Sequence, residues 1–245
     1  MLIEDNTWKI FAPYNILVSL RGLMDEVCSQ IVEYRNSVPI VPELCLPTAA
    51  KEISLTPLIM QAAYNLQRNG KVVFWPVSEL TATRNKNESK GRIDIGLFSK
   101  RHATFIECKA VRTSATNNNN NRIEKALNKA TDQLLDIDMV TLLFNSPKET
   151  ISNIRANNKL IPMVAINVTC DKNRVEDRDR LFMKKVESIR DGFRNSMIVQ
   201  VRYKPHFIRY NGDIDVKVED RKLMSIGHVF ILKEVFKSKI GLIPT

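Results

Sequence analysis

Residues 160–169 read LIPMVAINVT, a run without a single charge. An unbroken apolar run of this kind is expected in a strand buried on both faces of a sheet. Such a strand needs a covering layer on each side, so the rest of the chain must supply helices for both. The spacing of apolar residues provides them. Leu17, Leu20, Met24, Val27, Ile31 and Tyr34 recur at steps of three and four and predict a helix over 14–36, with a face for the core or for a dimer contact. A Pro-rich connector is expected over 37–50. A second helix is expected from Thr56, as its cap, to Arg68, with Pro57 in the first turn and Gly70 past the end.

KVVFWPV predicts a strand over 71–77, with Phe74 and Trp75 as core residues. Two further strands are expected within GRIDIGLFSKRHATFIECKA, residues 91–110. Five consecutive Asn, 117–121, supply nothing to a core and predict a flexible loop. The stripe Ile123, Leu127, Ala130, Leu134 and Ile137 predicts a helix over 122–136, and further helices are expected over 148–158 and 178–194. Strand sequence returns from Met197, with Asn211-Gly212 as a tight turn, and again over 228–236. This order predicts a mixed α/β fold, a mixed central sheet flanked by helices.

The length, 245 residues, suits one large domain or a domain with extensions. No apolar run approaches 18 residues, so no membrane span is expected. MLIEDNTW lacks the layout of a signal peptide. Cys28, Cys45, Cys108 and Cys170 show no CxxC spacing and read as reduced thiols, which points to a cytoplasmic protein. There is no GxxxxGK and no GxGxxG, which excludes the familiar ATPase and dinucleotide motifs. His102, expected at an exposed hairpin tip, His206 and His228 show no metal-ligand spacing, and no Ser/His/Asp set can be assembled.

The net charge is +10. From Arg84 to Lys129 stand eleven Lys or Arg against four acids, so the basic surplus surrounds the hairpin at 91–110. Such a surface suits nucleic acid, an anionic membrane or an acidic partner. Within the hairpin, strand alternation places Ile93, Ile95 and Leu97 on one face and Arg92, Asp94 and Gly96 on the other. On the second strand Phe105, Glu107 and Lys109 share a face. A turn centred on Lys100-Arg101 sets Asp94 opposite Glu107, an unfavourable pairing of like charges unless something compensates it. A divalent cation would do so, since two carboxylates, the Cys108 backbone carbonyl and waters form a hard oxygen site suited to Mg²⁺. Lys109 reaches the same volume. The competing reading is an ion cluster on an exposed sheet face. The acid-x-Lys spacing recurs at Asp215-Val-Lys217 and Asp220-Arg-Lys222, but there in a polar stretch.

GRIDIGL followed by FIECKA resembles the PD-(D/E)xK nuclease superfamily, of restriction-endonuclease-like fold, over about residues 52–170. Ile93 stands where that motif has Pro. The resemblance implies a nuclease core over 51–170, an N-terminal helical extension over 1–50 and a C-terminal α/β extension over 171–245. It implies Asp94 and Glu107 as ligands of Mg²⁺, with Mn²⁺ as a substitute, and Lys109 as the catalytic lysine. A further acid is expected from Glu52 or, second, Glu79. Gln133, on the helix after the hairpin, is expected to orient a water or a phosphate. Lys90, Arg92, Arg112 and Lys129 are the expected nucleic-acid contacts. The expectation is a metal-dependent endonuclease acting on DNA, possible in restriction or defence, with a homodimer or a protein partner both open. Its rivals are an inactive nuclease-like subunit that only binds nucleic acid, and a basic interaction protein with a coincidental motif.

Overall fold

The computed structural model describes residues 7–12, 18–37, 55–70, 75–84, 90–99, 102–138, 158–174, 176–202 and 223–236. The described elements are β1 (Thr7–Phe11), α1 (Val18–Ser37), α2 (Leu55–Arg68), β2 (Trp75–Thr83), β3 (Lys90–Phe98), β4 (Ala103–Ser114), α3 (Asn121–Leu135), β5 (Lys159–Asp171), α4 (Arg178–Gly192), β6 (Met197–Arg202) and β7 (Leu223–Leu232). The connector expected over 37–50, apart from Ser37 at the end of α1, the helix expected over 148–158, apart from Asn158, the Asn211-Gly212 turn and both acid-x-Lys repeats lie outside the described residues, as do Leu17, Cys45, Glu52, Phe74 and His206.

Seven strands form one mixed sheet in the order β1-β6-β7-β5-β4-β3-β2. β5 lies at its centre, parallel to β4 and antiparallel to β7. Every residue from Leu160 to Cys170 is buried, as the unbroken apolar sequence demands. Helices cover both faces. On one, Leu20, Met24, Val27, Ile59 and Leu66 of α1 and α2 pack with Ile106, Met163 and Phe230. The apolar stripe of α1 therefore goes to the core. On the other, Leu127 of α3 and Phe182, Val186 and Ile189 of α4 pack with Val164, Ile166 and Val229. Gly227 lets α4 approach the sheet, because a Cβ there would stand 2.5 Å from the Phe182 ring and 2.7 Å from the Val201 carbonyl oxygen. Among the described residues no helix is long and apolar enough to cross a membrane.

Several local expectations change. Thr56 is the second residue of α2 rather than its cap. β2 runs on to Thr83, and Trp75 is 62 % exposed instead of core, because β2 is an edge strand. β1 was not expected; five residues acquire strand structure by pairing with β6. The Asn run is an ordered link rather than a flexible loop. Lys185 Nζ, on buried Lys185 of α4, donates to the Asn117 carbonyl at 2.6 Å and to Asn120 Oδ1 at 2.9 Å. Asn120 Nδ2 donates to the Ser188 carbonyl at 3.2 Å, and Asn119 Oδ1 accepts the Asn121 N–H at 2.7 Å where α3 begins. Burial pushes the Lys185 ammonium below its ordinary pKa. The far end of α3 is fixed too: Ile137 bridges Arg84, and the Asp138 N–H donates to the Thr83 carbonyl at 2.7 Å.

Candidate active site

β3 and β4 pair from Ile95–Ile106 to Phe98–Ala103, the register expected of a turn centred on Lys100-Arg101. Ser99 closes that turn by donating its N–H to the His102 carbonyl at 2.9 Å. His102 is part of this turn, half-buried with Nδ1 3.0 Å from Ser99 Oγ, rather than exposed at the tip.

Past Ile95 the two strands part, while β4 continues beside β5 as far as Ser114. A strand N–H left without a ladder partner in the interior needs another acceptor. The Asp94 carboxylate supplies it: Oδ2 accepts the Cys108 N–H at 2.7 Å. Strict alternation of β3 also ends here. Ile95 and Leu97 pack on the α1–α2 side, but Ile93 joins Ala82, Phe105, Leu134 and Ile137 near the end of α3. Ile93, Ile95 and Leu97 therefore do not share one packing environment, contrary to expectation. Between the paired positions Ser78–Ile95 and Leu80–Ile93 stands Glu79, level with Asp94, with a left-handed φ of 54°. The irregularity thus falls in both strands at the same level.

β4 keeps its alternation. Ile106 and Cys108 pack with α1 and α2, while Phe105 packs with Leu134 of α3 on the opposite face, which by alternation also carries Glu107 and Lys109. Glu107 is only 3 % exposed and Lys109 6 %, so an ion cluster on an exposed sheet face does not describe them. Lys109 Nζ donates to Glu107 Oε1 and to the Cys108 carbonyl, each at 3.0 Å. Glu107 Oε2 is buried and has no hydrogen-bond partner among the described residues. Burial pushes the Glu107 carboxyl above its ordinary pKa, and the nearby Asp94 charge adds to this. Lys109, and more weakly Arg84, pull the other way.

The other nominated residues are placed unequally. Gln133 lies on α3, and its buried side-chain Oε1 has no partner among the described residues. Lys129, one turn earlier, and Arg112, near the end of β4, are exposed. Arg92 and Glu79 are both exposed and form an ion pair with each other at 2.8 Å. Lys90 opens β3, with its side chain outside the description. Among the described residues no third Asp, Glu, His or Cys joins Asp94 and Glu107 in a metal-binding group. One nearby cation was not singled out from sequence. Arg84, at the end of β2, donates from Nη1 to the Gln133 carbonyl at 3.2 Å. Its place depends on Gly91, where a Cβ would collide with the Arg84 guanidinium. The sequence signal was only its membership of the basic cluster.

An oxygen-rich corner with one unsatisfied buried carboxylate oxygen fits a hard divalent cation. A proton on Glu107 is the alternative way to relieve the same atom. No protein family, curated protein or solved structure matches the chain.

Proposed function

We propose that this chain is a Mg²⁺-dependent nuclease of the PD-(D/E)xK type, with a restriction-endonuclease-like core, that hydrolyses phosphodiester bonds in DNA. The observation that carries this reading is Glu107 Oε2, a buried oxygen with no partner among the described residues, beside a second carboxylate and a buried ammonium. Asp94, Glu107 and the Cys108 carbonyl would hold the ion. Mg²⁺ there would lower the pKa of a water and polarise a phosphate. Lys109 offsets negative charge growing on a phosphate and orients a water by hydrogen bonding. The exposed cations Arg112 and Lys129 position the backbone without reading sequence. Cys28, Cys108 and Cys170 are buried and not joined in disulfides, which suits a cytoplasmic setting. Defence against foreign DNA is the biological role in keeping with this chemistry and rests on analogy.

One observation favours a second reading. The Lys109 ammonium already engages Glu107 Oε1 and the Cys108 carbonyl, as in an inactive nuclease-like subunit that only binds nucleic acid. Incubating plasmid and single-stranded DNA with Mg²⁺ separates the two. Cleavage by the wild type, lost in Asp94→Ala and Lys109→Ala, is the expected result. Tight binding without cleavage identifies the inactive subunit, and neither binding nor cleavage rejects the nuclease reading for these substrates.

A further inference from the structure

We propose that Trp75 stacks against an unpaired base in a single-stranded stretch of the DNA substrate; this rests on the nuclease reading above. Strand register places the indole on the sheet face that carries Glu107 and Lys109. Pro76 is buried and pairs with Leu97, which packs with α1 and α2. Alternation turns Trp75 and Val77 to the opposite face, together with their partners Phe98 and Gly96. There the Phe98 ring meets Phe105 edge-on at 5.7 Å, and Phe105 shares its face with Glu107 and Lys109. Leu80 and Phe98 close over Gly96, where a Cβ would collide with both, and continue the apolar floor inward from Val77. Trp75 is level with Phe98 and Ala103, and Glu107 follows four residues after Ala103 on β4. The offset is about 13 Å along the strands and about 10 Å across them, a few nucleotides of extended chain.

Size and charge select the occupant. Trp75 is 62 % exposed and Val77 40 %. Exposed Tyr64 does not extend this patch, because α2 covers the opposite face. A tryptophan buries about 150–250 Å², whereas a standard protein interface takes about 800 Å² from each partner. The patch therefore matches one flat ring rather than a second protein. A second copy of a chain of net charge +10 would also bring like charges together. A polyanion is instead drawn to the cations of residues 84–129, which span β3, β4 and the start of α3. Bases inside a duplex stack on one another. An unpaired base offers a free π-face, and aromatic side chains hold such bases without reading sequence.

The chain has two tryptophans, so Trp8→Phe leaves Trp75 as the sole indole. This full-length variant is titrated in Ca²⁺ with oligo(dT) and with an abasic chain of equal phosphate count, following indole emission and the anisotropy of a labelled probe. Oligo(dT) should quench the indole and the abasic chain should not. Trp75→Ala should bind oligo(dT) about tenfold more weakly, as for loss of one stacked base. Its salt slope should stay as in wild type, because no charge is removed. Its affinity for closed circular plasmid and its melting temperature should also be unchanged, and Trp75→Phe should recover part of the lost affinity. Binding of oligo(dT) without quenching, equal quenching by the abasic chain, or wild-type oligo(dT) affinity in Trp75→Ala each overturn the proposal. Self-association in sedimentation that disappears in Trp75→Ala also overturns it and assigns the patch to a second copy. Should Trp75→Ala fail to fold, the quenching comparison in Trp8→Phe decides alone. Plasmid cleavage without quenching strikes the stacking role and leaves the nuclease reading standing. A wild type that neither binds nor cleaves DNA rejects the nuclease reading itself, and the assignment of Trp75 falls with it.

Discussion

The Asp94 carboxylate accepts the Cys108 N–H at 2.7 Å, and Cys108 stands between Glu107 and Lys109. One hydrogen bond therefore ties the acid of β3 to the middle of the Glu-x-Lys triplet on β4. Its structural and chemical roles separate by substitution. Asp94→Ala leaves a partly buried N–H without its acceptor and should destabilise by about 1–3 kcal/mol in urea melts. Asp94→Asn retains an oxygen acceptor and should lose less stability, yet lose Mg²⁺-dependent cleavage as fully as alanine. Equal stability losses would show that the bond contributes little to the fold.

Glu107 gives a pH dependence of defined sign. Burial raises its carboxyl pKa above the ordinary value, so the folded chain holds this proton more tightly than the unfolded chain. Its contribution to stability is fully present below the ordinary carboxyl pKa and is lost as pH rises through the raised value. Glu107→Gln removes this dependence. In EDTA, the melting temperature of Glu107→Gln relative to wild type should climb as pH rises across that window. A constant difference from pH 4 to pH 8 would contradict the assignment.

Lys109 and Glu107 form a pair that is buried on both sides, at 3.0 Å. Breaking such a pair from one side costs about 3–5 kcal/mol when the remaining charge stays ionised, and less when it takes up a proton. Lys109→Met should therefore be more destabilising at pH 8 than at pH 5. The Glu107→Gln, Lys109→Met double variant should be more stable than the sum of the single losses by about 1 kcal/mol or more. Additive losses would mean that the two side chains act separately.

Lys185 clamps the entrance to α3 through Asn117 and Asn120. Lys185→Met leaves the Asn117 carbonyl and Asn120 Oδ1 without this donor, at a cost of about 1–3 kcal/mol. Amide hydrogen exchange should accelerate over residues 117–121 before it does in β5. Unchanged exchange in that segment would remove the clamp from the account.

The sequence made β5 and the hairpin readable for local reasons. The burial of Leu160–Cys170 follows from an unbroken apolar run, and the register of β3 with β4 follows from the length of the intervening turn. What escaped depends on partners distant in the chain. The Asn run looked flexible because its anchor, Lys185, lies 65 residues beyond Asn120. Trp75 looked like core because nothing local shows that β2 sits at the sheet edge. Ile93 departed from alternation because the ladder to β4 ends beside it. Arg84 was one cation among many until Gly91 and the end of α3 gave it a position. The charged set itself was legible as three residues, but the burial of Glu107 and Lys109 and the bond from Cys108 to Asp94 required the fold.

The central claim is that Asp94, Glu107 and the Cys108 carbonyl hold one divalent cation, and anomalous diffraction from crystals soaked in Mn²⁺ tests it most directly. The account predicts a peak about 2 Å from a carboxylate oxygen of each acid and from the Cys108 oxygen, absent in Asp94→Asn crystals treated identically. No peak at that position, or a peak unchanged in Asp94→Asn, would contradict it.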